Sequence, residues 1–584
     1  MSARNVYISR RNFMKAGAVA AAMASLGVPA MAAPAGEENC LWSNITPRRS
    51  TQYGPVVGLD QGESLVWYGI PYGAAPVGEL RWQAPQDPAV WTEAKDCTAP
   101  SEVAYQYGSG VIGTEDCLKL DVYTTPNAHK LPVLVFIHGG NNQTGNTKEI
   151  LGSELVVRDN CVFVTLDYRL GLFGFNCLPA LCRGSDDTGN FTLLDIAKAL
   201  DWVKDNIAQF GGDADNITIS GFSAGGRDVM AMLTSPLFAG RFQKAIAFSG
   251  GMTIADETAS VSQIAWAIAP LAVELVYQEL KRVEAYTAAA KAWLMTDGED
   301  VRDWLYSLDS ARLCPLMSNA GIRMSVFPHL YGDGVVLPKE GFATTQYNNV
   351  PLLMLTGSTE FSMFAAWDAY FGSAEMKAYS AAETNAAKDF AVKYGSDMYR
   401  IFNAECSAET MYDHYGADIY LCQIDYGDPD ALSQIPVLGA FHGIFVPMLS
   451  TVNNYAAMVD FSGEGYQEMA VLFNRYLKNF LTNGDPNGNL FTGIRGLFSG
   501  DSALPKWQNW TPDNKVSMVL DASATDAQIG CKDVSTTYDE IMDRMDADTT
   551  VSAELKQKMI RNVMNGRWFS AALDARYGNP TLWK

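Results

Sequence analysis

Short, fully apolar runs recur along this chain and are separated by longer amphipathic stretches. Leu134-Val135-Phe136-Ile137, Val162-Phe163-Val164, Ile217-Thr218-Ile219, Ala245-Ile246-Ala247-Phe248, Leu352-Leu353-Met354-Leu355 and Ile419-Tyr420-Leu421-Cys422 are the main ones. Runs of this length with no polar alternation are what strands buried on both faces present. Between them, residues 191–206 carry Leu194, Ala197, Leu200 and Val203 at three-to-four spacing, which predicts one apolar helix face. The alternation predicts an α/β fold with a large, mostly parallel central sheet flanked by helices. Such a sheet puts its chemistry at the carboxyl ends of its strands. Residues 253–330 and 374–415 read as helical without a core of their own. They are expected as insertions on a single catalytic domain, serving either as a cap or as surface covering.

The run Ile217-Thr218-Ile219 leads into Gly221-Phe222-Ser223-Ala224-Gly225, followed by an alanine- and methionine-rich helical stretch. G-x-S-x-G between a strand and a helix holds a serine exposed beside the positive end of the helix, where a nucleophile is needed. A serine nucleophile needs a base, an orienting acid and an oxyanion hole. The base is sought among only five histidines: His129, His138, His329, His414 and His442. His129 lies in a polar turn, His329 beside a Gly-Asp-Gly turn and His414 in a polar helical stretch. His442 lies in a loop after a late strand, where a parallel-sheet hydrolase needs its base, although a histidine among apolar neighbours is often structural. His138-Gly139-Gly140-Asn141 follows a strand and suits an oxyanion hole or, more simply, a tight turn.

The chain has 584 residues and a formal charge of −22, which disfavours nucleic acid and anionic membranes as partners. Its N-terminus reads Ser9-Arg10-Arg11-Asn12-Phe13-Met14-Lys15, then a mild apolar run, then Ala30-Met31-Ala32. That order predicts a twin-arginine signal peptide over residues 1–32, engagement of the twin-arginine export machinery, and a soluble periplasmic or extracellular protein without a stable membrane anchor. An oxidising compartment permits disulfides among the ten cysteines. Cys97 and Cys117 flank one loop, Cys177 and Cys182 another, and Cys406 and Cys422 a third. No metal-ligand spacing and no cofactor motif occurs, so neither metal nor cofactor is expected.

Ordered motifs from about residue 68 to about residue 510 resemble the type-B carboxylesterases, the α/β-hydrolase branch that includes cholinesterases and lipases. They are Tyr68-Gly69-Ile70-Pro71-Tyr72 with Leu80-Arg81-Trp82, Glu115-Asp116-Cys117-Leu118, Tyr168-Arg169-Leu170-Gly171, Phe210-Gly211-Gly212-Asp213 with the Ser223 turn, and Thr482-Asn483-Gly484-Asp485-Pro486-Asn487. The resemblance implies Ser223 as nucleophile, His442 as base and Glu360 as acid in a Ser-Glu-His triad. The segment before Glu360 is shorter than usual, which leaves room for another carboxylate in that role. The resemblance also implies backbone oxyanion donors at Gly140, Asn141 and Ala224, a serine near the triad at Ser249, and a Cys97–Cys117 disulfide.

Several positions depart from the family pattern. Phe222 and Phe445 stand where glutamates are common. The loss of that acid pair points to neutral apolar or aromatic esters rather than cationic ones. Asn141 and Asn142 replace small and aromatic residues, and nothing in the sequence accounts for Asp228. The expected activity is carboxylic-ester hydrolysis through an acyl-enzyme on a small-molecule ester. Lipase, thioesterase or amidase chemistry on the same triad is the alternative, and a non-catalytic binding protein the more distant one.

Overall fold

The six apolar runs all form strands, and they line up side by side. A computed structural model describes residues 4–5, 47–182, 187–280, 286–488 and 504–579. Apart from residues 4–5, the expected signal peptide and its cleavage site lie outside the described residues. The central sheet holds eleven strands: β1 Leu59–Asp60, β2 Leu65–Pro71, β3 Lys119–Thr124, β4 Leu131–Ile137, β5 Val162–Leu166, β6 Gly212–Phe222, β7 Lys244–Phe248, β8 Leu352–Gly357, β9 Ile419–Ile424, β10 Ser517–Ala522 and β11 Ala527–Lys532. Their spatial order is β11-β10-β9-β8-β7-β6-β4-β5-β3-β2-β1. The block from β10 to β5 is parallel, and the strands at both edges run antiparallel.

Alternate side chains of each strand build two cores, as the two-residue period of a strand requires. On one face, Val133, Val135, Ile137, Ile217 and Ile219 pack with helix α1 Phe191–Asn206 and helix α2 Ala224–Thr234. On the other, Leu134, Phe136 and Phe163 pack with helix α3 Glu464–Asn483. The predicted helix over 191–206 matches α1 at both ends.

Buried ion pairs tie the sequence motifs together. Arg81 donates from Nε and Nη2 to the Glu115 carboxylate, both at 2.8 Å, and reaches Leu308 O and Ser310 Oγ in the 253–330 segment. Arg169, after β5, makes a bidentate pair with Asp195 on α1 at 2.8 and 2.6 Å, with both side chains buried. The same guanidinium donates to the carbonyls of Arg81 and Gln83. A buried pair of this kind costs desolvation when formed, but removing one partner strands the other charge.

The expected disulfides are not present. The nine described cysteines, Cys97, Cys117, Cys161, Cys177, Cys182, Cys314, Cys406, Cys422 and Cys531, are all free thiols. Cys97 and Cys117 are both buried but sit in different surroundings, Cys97 among Lys95, Asp96 and Asp121, Cys117 among Asp167, Arg169 and Asp195. Burial pushes the Cys97 thiol up to about 12. The loop between them is closed instead by β-pairing and by the Arg81–Glu115 pair.

Replacing Asp195 by Asn leaves the Arg169 charge uncompensated in the core. Urea unfolding of Asp195→Asn is expected to show a loss of about 3–5 kcal/mol. A loss below about 1 kcal/mol would mean the pair does not organise the turn after β5.

Candidate active site

β6 ends at Phe222 and α2 begins at Ala224, so Ser223 alone makes the turn, with φ 57° and ψ −116°. A Cβ on Gly221 would lie 2.2 Å from Gly225 O, and one on Gly225 would lie 2.1 Å from Ile137 O. Both glycines are therefore demanded by close backbone approach. Ser223 N–H donates to Phe248 O at 2.9 Å, which fastens the turn to the end of β7.

Glu360, His442 and Ser249 meet beside this turn. Glu360 is fully buried in the loop after β8. Its Oε1 accepts from Ser249 Oγ at 2.5 Å, Gly357 N–H at 2.6 Å and Thr356 Oγ1 at 3.2 Å. Its Oε2 lies 2.5 Å from His442 Nδ1. All of its acceptor capacity is thereby directed, and the imidazole is fixed with Nε2 away from the carboxylate. His442 Nε2 has no hydrogen-bond partner among the described residues, and His442 and Ser223 line the same cavity of about 500 Å³. A catalytic hydrogen bond is often unformed in a site without substrate. The other histidines stand apart. His138 is buried and stacked on Tyr168 at 4.3 Å, and burial pulls its pKa down to about 4. His329 is buried against Arg227, His414 ends a short helical turn and His129 is exposed.

The turn after β4 is shaped by φ of +101° at Gly140, +61° at Asn141 and +54° at Asn142. Gly139 N–H is occupied, donating to Glu149 Oε2 at 2.6 Å. The amides of Gly140, Asn141 and Ala224 make no such bond among the described residues. Asn142 is held twice: its carbonyl accepts from Gly171 N–H at 2.7 Å, and its Nδ2 donates to Asp228 Oδ1 at 3.0 Å. Two unrelated departures in the sequence, Asn142 and Asp228, are thus one interaction. Through Gly171, the turn also leans on the segment fixed by Arg169 and Asp195.

Phe222 and Phe445 do meet, with ring centroids 5.1 Å apart in an edge-to-face arrangement. Phe222 lies 4.6 Å from the His442 ring, and Phe445 stacks on Phe248 at 4.3 Å. An aromatic cluster fills this space and adds no buried polar group of its own.

Several residues at the site carry no sequence motif. Tyr399, within helix α4 Ala381–Asn403, stacks on His442 at 5.5 Å, and its phenol lies next to Ser223. Arg227, one turn into α2, approaches His329 Nε2 at 2.5 Å, donates to Thr253 O and lies 4.4 Å over the Trp568 ring. The C-terminal segment returns to the site through Arg567, Trp568 and Phe569, with Phe569 stacked 5.2 Å from Tyr399. No motif in the sequence marks this segment as part of the site.

Asn142→Ala removes the side-chain anchor of the turn and is expected to lower kcat by about ten- to a hundredfold with a smaller change in KM, because misplaced donors act on the transition state. Steady-state kinetics on any turned-over ester checks this. Burial pushes the Asp228 carboxyl up to about 7 from 3.8. The folded protein therefore holds this proton across a range where the unfolded chain has released it, and ionising the group costs stability. As pH rises from about 4 to about 7, the wild type is expected to lose stability relative to Asp228→Asn, read as a converging difference in melting temperature. A pH-independent difference would contradict the buried, proton-binding carboxyl.

Comparisons with known proteins bear on the family and the fold. A para-nitrobenzyl esterase of Bacillus subtilis is 42% identical over 229 residues, which cover 37% of this chain and 46% of that protein, so the chain spans less than half of that relative. An acylcarnitine hydrolase of Mus musculus is 31% identical over 429 residues, covering 68% of this chain and 70% of that protein. The structure of a Geobacillus stearothermophilus carboxylesterase superposes with a TM-score of 0.62 at 25% identity, covering 83% of this chain and 98% of that one, and is an α/β-hydrolase. A twin-arginine translocation signal matches residues 8–27, which routes the chain to export. Among the described residues, no helix is long and apolar enough to cross a membrane. His442 lies beyond the stretch matched by the family model, and its place rests on its geometry. The model described as carboxylesterase family matches residues 45–389, more than half of the sequence, and the chain belongs to that family.

Proposed function

We propose that this exported chain hydrolyses carboxylic esters through an acyl-enzyme formed on Ser223. The observation that carries the reading is the 2.5 Å contact between His442 Nδ1 and a fully buried Glu360, with His442 Nε2 left free at the cavity that Ser223 lines. Ser223 Oγ attacks the ester carbonyl as His442 Nε2 takes its proton. Glu360 holds the tautomer and supports the imidazolium. The amides of Gly140, Asn141 and Ala224 receive the oxyanion. His442 then returns the proton to the departing alcohol. Water, activated by the same imidazole, attacks the acyl-enzyme and releases the acid and free Ser223.

Phe222, Met363, Phe364, Trp367 and Tyr455 on the cavity wall favour apolar or aromatic groups around the scissile bond. The Phe222–Phe445 pair leaves no carboxylate there to attract a cationic alcohol. The buried Tyr399 ring supports one face of the His442 imidazole.

A fluorophosphonate is expected to label the folded protein at a single serine. Ser223→Ala is expected to abolish labelling and to lower ester turnover by a factor on the order of 10⁴ to 10⁶. An intact protein that resists labelling, or a Ser223→Ala variant that still labels, would overturn the assignment.

A further inference from the structure

One part of the cavity wall is neither apolar nor used by the triad. Arg323, from the 253–330 segment, and Arg567, from the C-terminal segment, form an isolated antiparallel bridge. Met324 N–H donates to Gly566 O at 3.0 Å and Trp568 N–H to Ile322 O at 2.9 Å. The bridge holds two guanidinium groups side by side. Like charges directly opposite one another in an antiparallel pair are destabilising unless something offsets them.

Among the described residues, one carboxylate does so. Asp368 Oδ2 accepts from Arg323 Nη2 at 3.1 Å and from Arg567 Nη2 at 2.5 Å. Its Oδ1 is already used by Tyr370 N–H at 2.9 Å. Asp368 is the sole carboxylate among the residues lining the cavity, so this edge carries two cationic groups against one anionic group. Arg567 is otherwise occupied by the carbonyls of Val563 and Gly321. Arg323 uses Nη2 for Asp368 and for the carbonyls of Asn562 and Val563, while its Nε and Nη1 make no hydrogen bond among the described residues. Side-chain exposure is 20% for Arg323 against 2% for Arg567 and 8% for Asp368, so the free donors belong to the more exposed of the two arginines that line the cavity.

A purely structural role explains Arg567 and Asp368, a buried pair that seats the C-terminal segment. It does not explain a second guanidinium with unused donors. Burial and the neighbouring Arg323 together push Arg567 down to about 9, so each cation raises the cost of the other. An anion bound between them relieves this repulsion. A guanidinium with a free planar edge suits the two oxygens of a carboxylate.

The position relative to the triad fits a substrate group. The Arg567 guanidinium lies 5.1 Å over the Phe361 ring, Phe361 stacks with Phe364 at 6.0 Å, and Phe364 lies 5.3 Å from the His442 ring. The arginines therefore stand two aromatic rings from the base, along one wall of the same cavity. We propose that the Arg323–Arg567 edge is a carboxylate-binding subsite, and that the preferred substrate is an ester whose apolar body ends in a carboxylate. This inference rests on the ester-hydrolase reading above. It replaces the neutral end group expected from the sequence while keeping the apolar body and the exclusion of cations.

The test is a matched panel of 4-nitrophenyl esters of four- to eight-carbon acyl chains ending in a free carboxylate, a methyl ester or a trimethylammonium group. A second series carries the same end groups on the alcohol side of a butyrate, which reveals the side of the scissile bond that faces the arginines. At the best chain length, kcat/KM is expected to favour the carboxylate over the methyl ester by about tenfold or more, with the cationic ester lowest. Added salt is expected to erode that ratio. Arg323→Gln is expected to bring the carboxylate-to-methyl ratio close to unity, while Arg323→Lys keeps part of it. If Arg323→Gln does not fold, the lysine variant and the salt dependence of the wild type decide. Neutral esters hydrolysed as well as anionic ones at every chain length, or a ratio unchanged in Arg323→Gln, would overturn the subsite alone. A folded wild type that hydrolyses no ester in the panel would overturn the ester-hydrolase reading and the subsite with it.

Discussion

The site depends on one backbone constraint. Ser223 is held at φ 57° and ψ −116°, a conformation that costs about 1–3 kcal/mol and persists only where its surroundings over-determine it. Here they do. β6 is paired on both sides, to β4 and β7, so Phe222 cannot shift without breaking the parallel block. α2 starts at once on the other side of the serine, and the absence of Cβ atoms at Gly221 and Gly225 lets the two elements meet. The outcome is a largely buried serine that lines the cavity at the top of the sheet, at the positive end of a helix, with its amide fastened to β7.

Everything else in the site is fixed relative to that turn by buried polar contacts whose partners come from distant parts of the chain. Glu360 is oriented by three donors before it meets His442. Asn142 is gripped by Asp228 from the helix that Ser223 begins and by Gly171 from the turn that Arg169 and Asp195 secure. Arg227 links the same helix to the 253–330 segment and to Trp568. Buried polar groups of this kind are costly to leave unpaired, so breaking any of these contacts is disfavoured, although Asn142 Oδ1, Asp228 Oδ2 and Arg227 Nε have no partner among the described residues. Aromatic rings of Phe222, Phe364 and Tyr399 pack around the imidazole, while its Nε2 edge stays at the cavity.

The buried strands and α1 were legible because their signals are local: apolar runs and a three-to-four period survive in any context. Ser223 was legible for the same reason, since a strand, a tight turn and a helix are contiguous. His442 could be singled out by its place in a loop after a late strand, whereas Glu360 needed the family resemblance, because a carboxylate in a loop has no local pattern. The Asn142–Asp228 contact was visible only as two separate oddities, since the pairing depends on how α2 passes the turn after β4. Arg323 and Arg567 carried no signal at all. A β-bridge between one segment before β8 and another after β11 is a property of the completed fold. The Cys97–Cys117 disulfide that the resemblance implied is not formed: an exported compartment and a family pattern permit a bond, but both thiols are free.

The most direct measurement of the central claim is pre-steady-state turnover of a 4-nitrophenyl ester, combined with intact and peptide mass analysis of acid-quenched enzyme. The account predicts a burst of one 4-nitrophenol per active site, with the acyl group recovered on the peptide containing Ser223. Full turnover with the acyl group on another residue, or with Ser223 unmodified under conditions where deacylation limits the rate, would contradict it.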